Sequence, residues 1–275
     1  MKKWYAVIGD PIAHSLSPFM HDTWFDEHGI DAAYIPIHVE PSQLEKSFEA
    51  MKTLGISGFN ITLPHKQSIV PFLGKLEESA MQMNAVNTVN FDGTQYIGSN
   101  TDGDGFVRSL LVHPVDKASK VLLIGAGGAA RGIAYALKRA GFSDVTITNR
   151  TFRRAEELAA ETGGSAVTLK DSEEGLAEFA ILIQTTSVGL ATGEALPISL
   201  EQVKAGTLVA DIIYNPLETP FLKRAEEKNC VTLNGVGMFV YQGAIAFEKW
   251  TGIQPDTEKM IKLITEKLGG TYVNN

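Results

Sequence analysis

The sequence predicts an α/β protein of two sheet domains, followed by C-terminal helices that return to the first domain. Three observations carry that reading. Short apolar runs alternate with helical-period stretches from Trp4 to Thr62, the element order that builds a parallel sheet with right-handed crossovers. The alternation restarts at Lys120, where an apolar run breaks into glycines and opens a new helix. The 275 residues suffice for two domains of ordinary size.

Trp4–Ile8 reads as the first strand. Ser17-Pro18 has the form of an N-cap followed by proline in the first helical turn, and Gly29 closes that helix. Ala33, Ile35, Ile37 and Val39 alternate as a strand does, and Leu44, Phe48, Met51 and Leu54 recur at helical spacing up to Gly55. Gly58–Thr62 is a third strand. Ala85–Phe91, a turn at Asp92-Gly93, and Gln95–Gly98 form a hairpin. Asn100-Thr-Asp-Gly103 leads into a helix over Gly105–Leu111, and the polar stretch Val112–Ser119 is a join. A strand at Lys120–Ile124, a helix at Gly128–Ala140 ended by Gly141, and a strand at Val145–Thr148 follow. Met238–Trp250 and Thr257–Leu268 are two more helical patterns, the latter with glutamates and lysines on a solvated face. The expected domains are residues 1–104, residues 119–236, and helices over 237–275 that pack on the first. Two such domains imply a cleft, with ligands beyond the carboxyl ends of the strands.

Composition narrows the function. Hydrophobic content of 44% and charged content of 20% are those of a globular protein. A formal net charge of −8 argues against a nucleic-acid partner. No apolar run is long enough to span a bilayer. The stretch from Lys2 to Ile8 runs straight into Asp10 and Pro11, so it reads as a strand and not as a signal peptide. The single cysteine, Cys230, permits no intramolecular disulfide; it reads as a small buried filler and fits a reducing, cytoplasmic setting. A monomer or homodimer is expected, with the homodimer favoured.

The glycine turn after Lys120–Ile124 is the most specific local signal. Gly125, Gly127 and Ala130 match the dinucleotide fingerprint of a Rossmann-type domain. The first glycine permits the tight turn, the second lets backbone approach a pyrophosphate, and the small third residue lets helix and strand pack closely. Amides at the helix start face the phosphate anion. The next strand ends at Asn149-Arg150, with Arg153 and Arg154 beyond, where an NAD site usually has a carboxylate. A carboxylate would repel a 2′-phosphate, whereas a guanidinium binds one bidentately. The expected cofactor is therefore NADP.

Polar residues gather at the strand ends of the first domain: Ser15 and Ser17, then Asn60, Thr62, His65 and Lys66, then Asn87, and finally Asn100, Thr101 and Asp102. Such groups bind hydroxyls with directional hydrogen bonds. Taken singly, Ser17 could be only an N-cap, and Ser15, Asn60 and Asn100 only turn formers. Lys66 and Asp102 are the candidates for proton transfer. A basic lysine needs a pKa below about 10.4, which desolvation promotes and a neighbouring carboxylate opposes. A lysine acting as acid needs no such depression. The competing reading is a surface lysine and a helix-capping aspartate that never meet.

At these residues the chain resembles the shikimate dehydrogenase family over essentially its whole length. The matching pieces are Val7-Ile-Gly-Asp-Pro-Ile-Ala-His-Ser-Leu-Ser-Pro18, Gly58-Phe-Asn-Ile-Thr-Leu-Pro-His-Lys66, Ala85-Val-Asn-Thr88, Gly98-Ser-Asn-Thr-Asp-Gly103, the glycine turn and Asn149-Arg-Thr151. The resemblance implies reversible, NADP-dependent reduction of 3-dehydroshikimate to shikimate in chorismate and aromatic amino-acid biosynthesis. It implies Lys66 as acid/base, assisted by Asp102, and Ser15, Ser17, Thr62, Asn87, Asp102 and Gln242 as shikimate ligands, with Asn60 and Tyr214 lining the pocket. It implies Gly125, Ala126, Gly127, Gly128, Ala129, Asn149, Arg150, Thr151, Arg154, Ile212, Gly235 and Met238 as cofactor contacts. Thr185-Thr-Ser-Val-Gly-Leu190 departs from the Asn-Ala-Thr-Ser-x-Gly-Met type of segment common in such enzymes, and Asp10 stands where an asparagine is often seen. Altered packing on the nicotinamide side is expected from the first departure. Rival readings are an NAD-using quinate/shikimate dehydrogenase and a non-catalytic regulator that binds shikimate or NADP. No metal is expected, because His21 and His28 are too far apart for an i, i+4 ligand pair and one cysteine adds no cluster. Trp24, Phe25, Phe48 and Phe59 are expected in the core.

Overall fold

The computed structural model describes residues 2–190 and 195–270 of the chain. Contacts group it into two units, one running to Asp102 and including Val240–Ile264, the other comprising Gly103–Phe239 and the chain from Thr265.

The first unit is built from β1 (Lys3–Gly9), α1 (Ser17–Glu27), β2 (Ala32–His38), α2 (Leu44–Thr53), β3 (Gly58–Ile61), β4 (Lys75–Leu76), α3 (Glu78–Met83), β5 (Thr88–Phe91) and β6 (Tyr96–Ser99). Its sheet has the order β2-β1-β3-β5-β6-β4. β1 runs parallel to β2 and β3, but β5 is antiparallel to both β3 and β6, so the sheet is mixed where strand-helix alternation alone predicts a parallel one. The chain between β3 and β5 brings β5 in against β3, and the hairpin then turns it back so that β6 runs with β3. Asp92 Oδ1 accepts from the Thr94 and Gln95 amides at 2.8 and 2.9 Å, closing the turn between β5 and β6. β5 starts at Thr88, later than the expected Ala85. The two-residue β4 and six-residue α3 are too short to show a hydrophobic period.

One sheet face carries a core of Phe48, Met51, Phe59, Ile61, Val86 and Val89. α2 contributes Leu44, Phe48 and Met51, whereas Leu54 is 72% exposed at the position that ends the helix, correcting its assignment to the buried stripe. An aromatic cluster of Tyr5, His21, Trp24, Phe25, Tyr34, Phe247 and Trp250 also belongs to this unit. Ser17 does not cap α1. Leu16 stands at the cap position, and the Ser15 hydroxyl accepts the Ser17 amide at 3.2 Å.

The second unit contains α4 (Asp102–Leu110, from its second residue), β7 (Val121–Ile124), α5 (Gly128–Ala140), β8 (Val145–Thr148), α6 (Phe152–Thr162), β9 (Ser165–Val167), α7 (Leu169–Glu174), β10 (Ile181–Gln184), β11 (Leu208–Asp211), α8 (Pro220–Glu227) and β12 (Val231–Leu233). Its sheet is parallel throughout, in the order β12-β11-β10-β7-β8-β9. Numbered within the unit this is the doubly wound order 3-2-1-4-5-6, with the switch point between β7 and β10. Strands buried on both faces need continuous apolar runs, and every residue of β7, β8, β10 and β11 is buried. α9 (Val236–Thr251) and α10 (Thr257–Lys267) complete the described chain, and their residues from Val240 to Ile264 count with the first unit. The last turn of α10 groups with the second, where Gly270 lies against Leu217.

Candidate active site

The mixed topology of the first unit gathers its polar residues. The carboxyl ends of β1 and β3 lie at the same edge as the start of β5 and the end of β6, because β5 runs against β3. Ser15 and Ser17 follow β1, Thr62 and Lys66 follow β3, Asn87 precedes β5, and Thr101 and Asp102 follow β6. Lys66 Nζ donates to Asp102 Oδ2 at 2.6 Å, so the two candidates for proton transfer do meet. Their side chains are 27% and 15% exposed, shielded from bulk water yet reachable. Asn87 Nδ2 donates to the other carboxylate oxygen, Oδ1, at 2.7 Å.

The polar residues divide into two kinds. Asn100 is a turn former: its amide nitrogen donates to the Ala85 carbonyl and its oxygen accepts from the Asp102 amide. Asn60, Asn87, Thr88 and Thr101 are buried and joined by hydrogen bonds. His65 contacts the Val39 carbonyl through Nε2 at 2.6 Å and anchors the loop that carries Lys66. Gln242 lies on α9, in the part that groups with this unit.

In the second unit the candidate cofactor residues lie at the carboxyl ends of the parallel strands. Gly125 has φ +116, and a Cβ there would strike Thr185 Oγ1, so only glycine fits the turn. Thr185 is fixed there because its hydroxyl donates to the Ile124 carbonyl at 2.7 Å. Gly127 and Gly128 are exposed, and a Cβ on either would meet only open space. Ala130 is fully buried against the strand. Asn149 Nδ2 donates to the Thr151 carbonyl at 2.9 Å and shapes the loop after β8. Arg153 pairs with Glu157, whereas Arg150 and Arg154 are exposed and make no ion pair with any described residue. An open, amide-lined turn beside two uncommitted guanidinium groups fits an anionic dinucleotide with a 2′-phosphate. Ala126, Ala129, Ile212 and Met238 are partly buried, and Gly235 sits so close to the Ile212 carbonyl that a side chain would collide with it. Tyr214 belongs to this unit and stacks on Phe239 at 4.9 Å.

Comparison with known proteins agrees with this geometry. Residues 7–89 match the model of the shikimate dehydrogenase substrate binding domain, residues 112–213 that of shikimate / quinate 5-dehydrogenase, and residues 235–265 that of the shikimate 5′-dehydrogenase C-terminal domain. The chain is 54% identical to the NADP(+) shikimate dehydrogenase of Lysinibacillus sphaericus, over 98% of this chain and 100% of that one. The chain belongs to the shikimate dehydrogenase family. It is 47% identical to the corresponding Geobacillus enzyme, over 98% of this chain and 100% of that one. Shikimate 5-dehydrogenase from Thermus thermophilus, solved in complex with NADP(H) and shikimate, superposes with a TM-score of 0.88 at 34% identity, covering 97% of this chain and 99% of that chain.

Within the family frame, the Thr185–Leu190 departure is a locally self-satisfied turn. Gln184 holds it by donating to the Thr186 and Val188 carbonyls and accepting the Thr186 amide. Sequence reasoning missed Tyr34 and Thr88. Tyr34 stands on β2 between the alternating apolar positions, and that placement on the minority face was the available signal. It is 2% exposed, donates to Asn60 Oδ1 at 2.7 Å and stacks on His21. Burial lifts its phenol well above the usual range. His21 is fully buried among aromatic rings, and neither ring nitrogen has a hydrogen-bond partner among the described residues. Desolvation pushes its imidazole down to about 3. Trp24, Phe25, Phe48 and Phe59 are all core residues, whereas Cys230 is only partly buried, its thiol 3.6 Å from the Lys204 carbonyl. No described helix is long and apolar enough to cross a membrane, and the described residues hold no cluster of metal-ligating side chains.

Proposed function

We propose that this protein catalyses the reversible NADPH-dependent reduction of 3-dehydroshikimate to shikimate, a step of chorismate and aromatic amino-acid biosynthesis. The observation that carries the reading is the 2.6 Å Lys66–Asp102 pair, its carboxylate held by Asn87, in a chain that matches NADP(+) shikimate dehydrogenases from end to end. When bound, NADPH supplies the hydride to the carbonyl carbon. Lys66 gives its proton to the oxygen that becomes the hydroxyl, and Asp102 keeps the ammonium group in place while the charge develops. In the oxidising direction Lys66 receives that proton.

Ser15, Ser17, Thr62, Asn87 and Gln242 are the hydroxyl-binding set, and Asn60 supports it from behind; Tyr214 is a further candidate substrate ligand. Positioning by such groups holds the ring for transfer and supplies much of the rate gain. The second unit, expected over residues 119–236, would hold NADP through Gly125, Ala126, Gly127, Gly128 and Ala129 at the glycine turn and Asn149, Arg150, Thr151 and Arg154 beyond β8, with Ile212, Gly235 and, just past that boundary, Met238 as further cofactor contacts. The first unit, expected over residues 1–104, takes the substrate. A cytoplasmic homodimer is the setting we favour.

The deciding assay is the initial rate with shikimate or quinate, each paired with NADP⁺ or NAD⁺. A dominant rate with shikimate and NADP⁺ is expected. Comparable rates with quinate and NAD⁺ would move the chain to the broader quinate/shikimate class, and no rate in any pairing would leave a binding protein. The uncommitted Arg150 and Arg154 favour NADP, since an NAD site gives those charges nothing to bind.

A further inference from the structure

A directed chain of hydrogen bonds runs behind the Lys66–Asp102 pair, and backbone groups fix its direction. The Thr101 amide can only donate, so the Asn87 atom 2.9 Å from it is the oxygen. The Asn87 nitrogen therefore faces Asp102 Oδ1, at 2.7 Å. The Asn87 backbone carbonyl can only accept, so Asn60 turns its nitrogen toward it, at 3.1 Å, and toward Thr88 Oγ1, at 3.0 Å. That leaves the Asn60 oxygen facing the Tyr34 hydroxyl, which donates to it at 2.7 Å. Thr88 accepts from Asn60 and sends its single proton to Asn87 Oδ1, at 2.9 Å. Donors run in one sense, from Tyr34 through Asn60, Thr88 and Asn87 to Asp102.

We propose that Tyr34 and Thr88 are positioning residues, which lock the Asn87 amide so that Asp102 presents its second oxygen to Lys66. The proposal rests on the dehydrogenase reading above. Tyr34 is 2% exposed, and Thr88 and Thr101 are 0% and 1% exposed, so solvent does not take over a lost link. The Tyr34 ring is held by stacking on His21, centroids 4.5 Å apart and planes 14° from parallel. Removing the phenol oxygen leaves Asn60 Oδ1 without its donor. Flipping the Asn60 amide is no remedy, because it would set oxygen against the Asn87 carbonyl. Asn60 then holds Thr88 less firmly, and the Thr88 proton is free to swing toward Thr101 Oγ1, 3.3 Å away. Links of this kind strengthen one another.

The test is steady-state kinetics on Tyr34→Phe, Thr88→Val, Thr88→Ser and the double variant Tyr34→Phe/Thr88→Val, with thermal midpoints and NADP affinity as folding controls. Tyr34→Phe and Thr88→Val are expected to lower kcat roughly tenfold, the scale of one buried hydrogen bond in a charged network, with KM little changed. Thr88→Ser keeps the hydroxyl and restores the rate. The double variant loses no more than the slower single one, because both sit on one chain. Wild-type kcat in the single variants, a Thr88→Ser as slow as Thr88→Val, or losses that multiply would each overturn the proposal. A wild type that turns over no shikimate with NADP⁺ would instead sink the dehydrogenase reading. The relay has its own readout, the Asn87 side-chain amide signal in a nitrogen–proton NMR spectrum. That signal shifts in Tyr34→Phe if the chain is connected, and its staying in place would count against the relay.

Discussion

The two units prepare for ligands in opposite ways. In the first, the charged and amide groups near Lys66 already hold one another: Lys66 and Asn87 both bond to Asp102, and Asn87 is held by Thr88 and Thr101. In the second, the glycine turn and the arginines beyond β8 are left uncommitted, with Gly127 and Gly128 facing open space and Arg150 and Arg154 free of ion pairs among the described residues. The contrast follows from what each group must do. Proton transfer needs a donor fixed in place before substrate arrives, and only internal partners can fix it. Binding a large anion needs amides and guanidinium groups whose best partner is the ligand itself.

Substitutions separate the two. Lys66→Ala removes the proposed proton donor and is expected to lower kcat by about 10²–10⁴ while NADP affinity stays near that of the wild type. Near-normal turnover, or a parallel loss of cofactor binding, would break the contrast. Arg150→Ala acts on the other side and is expected to weaken NADP by roughly tenfold to a hundredfold, the scale of a hydrogen bond to a charged group, with little effect on NAD. Titration of both cofactors onto the variant checks this, and an equal loss for the two would mean that Arg150 does not read the 2′-phosphate.

Legibility in the sequence divides along the same line. The second unit is governed by local rules: a buried strand, a turn that only glycine fits and a helix closed at Gly141 are each written in a few consecutive residues. Its parallel sheet follows from strand–helix alternation, whereas the order of the strands is seen only in the structure. In the first unit the polar residues were legible as a set, but their division was not. Asn100 proved a turn former and Asn87 a partner of Asp102 because of where β5 and β6 reverse the sheet, a long-range fact. Leu54 was misplaced because a helical period continues on paper past the turn at which the chain leaves the core. Tyr34 was overlooked because its use depends on Asn60, which is 26 residues away in the chain.

Acidity sharpens the comparison with smaller effects, since each unit buries a titratable group shifted in the opposite direction, His21 downward and Asp211 upward. His21, in the first unit, titrates at about 3 when folded and at about 6.5 when unfolded. As pH falls the unfolded chain takes up the proton first, so the stability from a neutral His21 is full above about 6.5 and drains toward pH 3. The slope is about 1.4 kcal/mol per pH unit. Asp211, in the second unit, is pushed up to about 6 by burial, despite hydrogen bonds from the Ile213 amide and the Thr219 hydroxyl. Its folded value lies above the unfolded one, so its contribution is fully present below about pH 4 and is lost as pH rises through 6. His21→Phe keeps a ring in the cluster and is expected to raise the thermal midpoint at pH 5 relative to wild type more than at pH 7.5. Asp211→Asn can still accept the Ile213 amide and donate to Thr219, so it is expected to stabilise at pH 7.5 and to give little at pH 4.5. Midpoints measured across this range for both variants should diverge from the wild type at opposite ends. Curves that run parallel to it would show that neither buried group governs the acid response of its unit.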